Sequence, residues 1–346
     1  MSSVSGNAQT VSLQQLFARA FTLHQQGSFA EAGQLYRQVL QHAPDDFDTL
    51  QLLGIIEIQH NRPLEALALL ERALQVNPGS IAAHTNYSAL LVSLQRYDDA
   101  VRSCERALAL DSAVPELLNN YSAALINLRR YDEALASCAR AIALKPDFVD
   151  ALNNMGNALN RLKRFADALP YYDRALSLNP NYVEAWFNRG NAFKHLRQYE
   201  QALASFDRAL ALKPRYPDAW LDRGNTLNRL KRYQEAAQAF ANALAVNPSS
   251  DYALGNQIHA QLHACDWRGY HVNCQRLLAA VRQGRHVDNP FSFLTTPSSA
   301  ADQLRCARLY VEDRFPPAAT PLWSGEIYRH ERIRLAYLSS DFHNHA

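Results

Sequence analysis

Residues 150–180 have the sequence DALNNMGNALNRLKRFADALPYYDRALSLNP, and residues 184–214 repeat the pattern as EAWFNRGNAFKHLRQYEQALASFDRALALKP. The same 34-residue offset extends over most of the chain upstream. Alanine recurs at one position of the period, at Ala32, Ala66, Ala100, Ala134, Ala168, Ala202 and Ala236. A second small residue recurs seven positions later, at Val39, Ala73, Ala107, Ala141, Ala175, Ala209 and Ala243. This regularity marks an internal repeat.

One period predicts two helices. Leu152 and Leu159 lie on one apolar face at helical spacing, and the pattern restarts at Phe165 for a second helix that ends before Pro180. Glycines stand in the first helix where the two helices must approach closely, at Gly156, Gly190 and Gly224. An aromatic residue recurs at the corner between the helices, at Tyr97, Tyr131, Phe165, Tyr199 and Tyr233. A single hairpin cannot bury both faces, so the repeats must stack into a solenoid.

This pattern resembles the tetratricopeptide repeat, whose period is also 34 residues. We expect seven repeats over residues 13–250, preceded by a disordered N-terminus at 1–12. The predicted fold class is therefore all-α, a superhelical solenoid of tetratricopeptide repeats.

Composition excludes several classes of protein. The chain has 346 residues and a formal net charge of +2, with no run of five like charges, which argues against nucleic-acid binding. Its five cysteines form no CxxC motif, and Cys104 and Cys138 take the repeat position held elsewhere by aromatic residues, so we interpret them as core residues. The start of the chain lacks the features of a signal peptide, and no 18-residue apolar stretch is present. We therefore expect a cytoplasmic protein with no membrane partner.

The repeat pattern stops after residue 250. Residues 251–331 are expected to form a capping helix and a helical linker, with helices at 251–264, 270–283 and 299–315 and a loop at 289–297. Residues 332–346 contain a predicted strand at 333–338. A lone strand is unstable, so we interpret the sequence as a fragment of a longer protein.

A ladder of amide side chains is the first candidate site. Two positions of the first helix, three residues apart and therefore on one face, are polar in successive repeats. An amide offers one acceptor and two donors, so a column of amides suits the backbone of an extended peptide. The alternative is that these side chains bond to nearby backbone or face water. The candidate peptide-binding residues are Asn86, Asn120, Asn154, Asn157, Asn188, Asn191, Asp222 and Asn225.

Histidines form the other candidates. His259 and His263 are four residues apart, with Cys265 nearby, but no second-shell carboxylate pattern accompanies them, so we predict no metal site. The loop after residue 338 contains His343 and His345, either of which could act as a general base at the carboxyl end of a strand. The sequence has no GxGxxG, GxxxxGK or GxSxG motif, so we predict no bound cofactor in this chain.

Two segments carry a more specific resemblance. NQIHAQLHACDW at 256–267 and RIRLAYLSSDFHNH at 332–345 are similar to elements of the protein O-GlcNAc transferases and SPINDLY-type enzymes. Ala336 and Leu338 replace the family's usual glycine and valine. The resemblance implies that residues 332–346 begin a truncated, Rossmann-like glycosyltransferase lobe, with His345 near the acceptor as its candidate catalytic residue.

The resemblance further implies that the parent protein transfers N-acetylglucosamine from UDP-GlcNAc to Ser or Thr of proteins. The repeats would bind the substrate as an extended polypeptide, and this chain alone would bind peptide without transferring sugar. GDP-fucose is an alternative donor. The competing hypothesis is a stand-alone tetratricopeptide adaptor for protein–protein interaction.

Overall fold

The computed structural model describes residues 12–316, and every regular element within that range is an α-helix. The described chain divides into two compact bodies, with the boundary between Pro248 and Ser249. The N-terminal body contains helices α1 Leu13–Gln25, α2 Phe29–His42, α3 Phe47–Gln59, α4 Pro63–Val76, α5 Ile81–Ser93, α6 Tyr97–Leu110, α7 Pro115–Asn127, α8 Tyr131–Leu144, α9 Val149–Arg161, α10 Phe165–Leu178, α11 Val183–His195, α12 Tyr199–Leu212, α13 Pro217–Arg229 and α14 Tyr233–Val246. The predicted all-α repeat array is confirmed for this range. The predicted strand at 333–338 and the N-terminal tail before Ser12 lie outside it.

Seven helix pairs make seven repeats. We call the first helix of each pair an A helix (α1, α3, α5, α7, α9, α11, α13) and the second a B helix (α2, α4, α6, α8, α10, α12, α14). Each A helix packs on its own B helix, and each B helix packs on the next A helix. The periodic alanines hold these contacts, since all fourteen positions of the two small-residue series are buried. Small residues therefore bring the helices together, as the sequence predicts.

The A helix and the B helix of one repeat are joined by the same turn throughout. In the fifth repeat, Lys163 has φ +61°, its N–H donates to Asn160 O (3.0 Å), and Arg164 N–H donates to Leu159 O (2.9 Å). This is a Schellman motif, in which the residue after the helix adopts the left-handed conformation. The equivalent residues with positive φ are Gly27, Asn61, Gln95, Arg129, Arg197 and Lys231.

The residues that face each other across the A helix and the B helix of one repeat are matched in size. A Cβ added at Gly190 would lie 2.6 Å from the ring of Phe206. A Cβ added at Gly156 would lie at the same distance from the ring of Tyr172, and one added at Gly224 at the same distance from the ring of Phe240. The third and fourth repeats carry serine instead of glycine, and there the residue opposite is a buried cysteine: Ser88 lies beside Cys104, and Ser122 lies beside Cys138. Burial raises the pKa of both thiols. Both cysteines are therefore core residues.

The repeats stack with their A helices close together. From α3 onward, neighbouring A helices contact one another directly, whereas contacts of that extent between neighbouring B helices are absent in the described part of the body. A stack whose A edges approach more closely than its B edges curves toward the A helices. The free face of the A helices is therefore the concave wall, the surface that repeat proteins of this kind use for binding.

The C-terminal body contains α15 Ala253–His263, α16 Tyr270–Arg282, α17 Pro290–Phe293 and α18 Ala300–Arg314. The short helix α17 lies in the predicted loop at 289–297, and this part of the prediction is wrong. Asn289 caps α17 by accepting from Ser292 N–H (2.9 Å), and Pro290 supplies a first helical residue that needs no N–H partner. A bidentate ion pair joins α16 to α18, with Arg282 donating to both oxygens of Asp302 (2.8 and 2.9 Å).

Candidate functional site

The candidate ladder residues all lie on the A helices and are half-buried. They occupy two repeat positions, which we call the inner row (Asn86, Asn120, Asn154, Asn188, Asp222) and the outer row (Asn157, Asn191, Asn225). The A helices place both rows on the concave wall, because the two positions are three residues apart on one helix. The two rows differ sharply in how their polar groups are used.

Inner-row asparagines link neighbouring repeats. Asn154 Nδ2 donates to Asn119 Oδ1 (2.9 Å), and Asn188 Nδ2 donates to Asn153 Oδ1 (3.1 Å). Asn120 Nδ2 donates instead to the carbonyl of Thr85 (3.0 Å) and to the hydroxyl of Ser88 (3.1 Å). The donors of these three amides are therefore directed at the preceding A helix.

The acceptors of the same amides remain unused. Within residues 12–316, no donor reaches Oδ1 of Asn120, Asn154 or Asn188. The link at the nitrogen fixes the rotation of each amide, because an amide that donates from one end must present its oxygen at the other. An ordered series of acceptors runs along the wall as a result.

The last member of the inner row departs from the series. Asp222 has no donor, and Phe187, which stands where Asn119 and Asn153 stand in earlier repeats, has no side-chain acceptor. Asp222 is held by Lys194 instead, whose Nζ lies 2.6 Å from its Oδ1 with both side chains about one-fifth exposed. The series of hydrogen bonds between amides of neighbouring A helices therefore stops before Asp222, which forms an ion pair instead.

Outer-row amides are available in two repeats. Asn157 and Asn191 form no side-chain hydrogen bond with any other residue in the described range. Asn86, at the start of the inner row, also forms no side-chain hydrogen bond with any other described residue. Each of these amides can both donate and accept, which is the requirement for pairing with a peptide backbone.

In the last two repeats, two arginines connect the A helices of the wall to neighbouring B helices. The sequence analysis did not identify these arginines. Arg189 donates to Asp173 (2.7 Å) and to Ser205 Oγ (2.9 Å) and stacks over Phe193, 4.7 Å from the ring centroid. Arg223 makes the equivalent bond to Asp207 (2.7 Å). The signal was available in the sequence, because arginine and the aspartate sixteen residues earlier recur together.

A cavity of about 350 Å³ lies between α4, α5 and α6. Within it His84 is buried, with Nδ1 2.8 Å from Ser103 Oγ and Nε2 3.1 Å from the carbonyl of Pro78. Burial lowers the pKa of His84. Trp186 and Trp220 take the same repeat position, and their indole N–H groups donate to the carbonyls of Pro180 and Pro214 (2.9 Å each), so His84 makes the same contact with the proline six residues earlier.

Two histidines of the C-terminal body lie close to each other. His259 Nε2 and His263 Nε2 lie 3.1 Å apart, and burial lowers the pKa of His259. Between residues 12 and 316 no cluster of three or more His, Cys, Asp or Glu side chains could hold a metal ion. No helix in the same range is long and apolar enough to span a bilayer. His343 and His345 lie outside the described residues.

Seven stacked helix hairpins with a polar concave wall define a helical-repeat solenoid. Sequence profiles described as tetratricopeptide repeat match residues 23–90, 57–111, 89–147, 149–182, 183–216 and 217–250. Together these matches extend over about two thirds of the chain. The chain belongs to the tetratricopeptide-repeat family.

Solved structures agree on the fold. A tetratricopeptide repeat protein from Parabacteroides merdae matches with a TM-score of 0.59 at 15% identity, over 72% of this chain and 98% of that one. PilF of Pseudomonas aeruginosa matches with a TM-score of 0.53 at 23% identity, over 62% of this chain and 96% of that one. A search of curated proteins gave no match.

Proposed function

We propose that this protein binds an extended segment of a partner polypeptide along the concave wall of its A helices. The observation that carries the proposal is the pair of amide rows. The inner row presents fixed acceptors at Asn120, Asn154 and Asn188, and the outer row has free amides at Asn157 and Asn191. Backbone N–H and C=O groups of a bound strand are the complementary partners.

The spacing of the repeats fits such a ligand. Packed helices lie about 8–10 Å apart, and an extended chain advances about 3.3 Å per residue. About three ligand residues therefore span one repeat, and a segment of about ten residues spans the repeats that contain Asn120 to Asn191. Recognition through the backbone places little demand on the ligand's side chains at these contacts.

Binding is tested by selecting peptides from a display library against the full chain and measuring their affinity by calorimetry. The variant Asn157→Ala with Asn191→Ala removes two free amides, and we expect about thirtyfold weaker binding from the loss of two hydrogen bonds of about 1 kcal/mol each. The matched control is Gln201→Ala with Gln234→Ala, two exposed amides on B helices. Equal affinities for both double variants would contradict the proposal.

A second candidate function rests on sequence. The similarity of residues 256–267 and 332–345 to protein O-GlcNAc transferases and SPINDLY-type enzymes supports the proposal that these repeats deliver substrates to a glycosyltransferase lobe. In that case UDP-GlcNAc, or GDP-fucose, would be the donor of the parent enzyme, and His345 would lie beside the acceptor. Blotting the source cells with an antibody to the repeats tests this: a band well above 39.0 kDa supports it, and a band at 39.0 kDa favours the adaptor.

A further inference from the structure

One edge of the repeat stack carries unpaired positive charge. Arg161 and Arg229 are the last residues of their A helices, and four further cations occupy the left-handed turn position that follows an A helix. We call this set the basic edge: Arg129, Arg161, Lys163, Arg197, Arg229 and Lys231. All six side chains are exposed, and none forms an ion pair within residues 12–316.

The neighbouring arginines behave differently. Arg130, Arg164 and Arg232 each pair with the acidic residue three positions later, at 2.6–2.8 Å. The corresponding acidic residues are Glu133, Asp167 and Glu235. Once these pairs are set aside, the first turns of α8, α10, α12 and α14 retain only Asp132 and Glu200 as acids. The local field of this edge is therefore positive although the net charge of the chain is only +2.

The backbone gives a second, independent observation. Arg129, Lys163, Arg197 and Lys231 have φ between +59° and +62°, a conformation that is unfavourable for a residue with a Cβ and natural for glycine or asparagine. The first two repeats have Gly27 and Asn61 at this position. A cation at this position in the last four repeats, like Gln95 in the third, is thus present at the expense of local stability.

The charge begins abruptly at the fourth repeat. In the first three repeats both positions are uncharged, with Gln25, Gln59 and Ser93 at the end of the A helix and Gly27, Asn61 and Gln95 in the turn. The change coincides with the part of the wall that carries the linked amides. With neighbouring helices about 10 Å apart, four repeats align these charges along about 30 Å of the wall's margin.

The opposite margin of the same wall is acidic. The first turns of α9, α11 and α13 contain Asp150, Glu184 and Asp218, whereas Glu116 in the first turn of α7 is paired with Lys145. A polyanion such as nucleic acid would meet repulsion there, whereas a polypeptide can present acidic side chains to one margin only.

We propose that the polypeptide bound on the concave wall is acidic, and that its Asp and Glu side chains lie against the basic edge. This inference rests on the function proposed above and adds the charge of the ligand to it. Individual exposed ion pairs contribute little, but several along one ligand add up and are screened by salt.

The experiment compares labelled 15-residue peptides by fluorescence anisotropy on the full chain: five Gly-Ser-Glu repeats, five Gly-Ser-Gln repeats and five Gly-Ser-Lys repeats, with a 15-nucleotide oligo-dT as the polyanion. We expect the Glu peptide to bind tightest and to weaken as NaCl rises from 50 to 300 mM. In the variant Lys163→Gly, Arg197→Gly and Lys231→Gly, its affinity should fall about tenfold, as expected for three exposed pairs, while the Gln peptide is unaffected.

The same variant should melt about 2–4 °C higher, because glycine relieves the left-handed strain at three turns. Weaker binding by a more stable protein cannot come from unfolding. The control variant Arg106→Gln, Arg174→Gln and Arg208→Gln makes the same change in net charge on B helices and should bind the Glu peptide normally.

The outcomes separate the two proposals. Equal binding of the Glu and Gln peptides would overturn the acidic ligand and leave peptide binding in place. Binding of no peptide would overturn both. Tighter binding of the oligonucleotide, or an equal loss in the control variant, would show that the basic edge attracts polyanions in general and would also overturn the inference.

Discussion

Asn154 of α9 donates to Asn119 of α7 across 2.9 Å, so a residue expected to bind a ligand also joins two repeats. The same relation holds between Asn188 and Asn153 at 3.1 Å. These links join α7 to α9 and α9 to α11, and they hold the amides of Asn154 and Asn188 in a fixed orientation. Preorganised acceptors bind a ligand without first losing side-chain freedom.

The first prediction separates the two amide rows by their effect on stability. Asn154→Ala with Asn188→Ala breaks the links between repeats and should lower the free energy of unfolding by about 2 kcal/mol, at about 1 kcal/mol for each hydrogen bond. Asn157→Ala with Asn191→Ala should change it by less than about 0.5 kcal/mol, because these amides have no partner in the described chain. Urea titration followed by circular dichroism measures both. Equal effects would show that the two rows are not distinct.

The second prediction concerns the size match between paired helices. Gly190→Ser places a side chain against the ring of Phe206 and should destabilise the protein by about 1–3 kcal/mol through overpacking. The third and fourth repeats pair serine with cysteine at these positions, so the same change should cost much less in a Phe206→Cys background. A double-mutant cycle measures the coupling, which we expect to exceed about 1 kcal/mol. Additive effects would rule out direct contact.

The third prediction uses a proline inside a helix. Pro170 lies within α10, and its equivalent in the sixth repeat is Ala204. Pro170→Ala should raise the free energy of unfolding, by up to about 3 kcal/mol, because a proline in the interior of a helix removes one backbone bond and crowds the preceding turn. Ala204→Pro, the reverse change in the neighbouring repeat, should destabilise by a similar amount. Thermal melts of the two variants test the pair.

The fourth prediction is a pH dependence in the C-terminal body. Burial raises the pKa of Asp288 to about 6, although Ser292 and the N–H of Asn289 donate to it. The folded state therefore holds the proton more tightly than the unfolded state, where the pKa is near 3.8. The stability due to the neutral carboxyl is complete below about pH 3.8, and about 3 kcal/mol of it is lost as pH rises through 6.

Asp288→Asn keeps a neutral group of the same shape and should remove most of this dependence between pH 4 and 7. Hydrogen exchange of α15 and α17 as a function of pH measures the local stability. A profile unchanged from that of the parent protein would show that Asp288 is not responsible.

Much of the fold follows from the period alone. The alanine series predicts which helix faces meet, and Gly156 predicts close approach to the second helix of its own repeat, because both follow from size and spacing in one period. The helix at Pro290–Phe293 was missed, since four residues are too few to show a periodic pattern.

The site was predicted only in outline. Periodicity places Asn154 and Asn157 on one face, but it cannot show that Asn154 reaches Asn119, because that bond depends on the distance between two repeats. The strained turn at Lys163 could have been found, since Gly27 and Asn61 occupy the same repeat position and both favour positive φ.

The most direct test of binding on the concave wall is photo-cross-linking with a display-selected peptide. A benzoylphenylalanine at Ala123, the outer-row position of the fourth repeat, is compared with one at Ala204, which is exposed on a B helix. We predict that the peptide cross-links at Ala123 and not at Ala204. Cross-linking at Ala204 without cross-linking at Ala123 would contradict binding along the A helices.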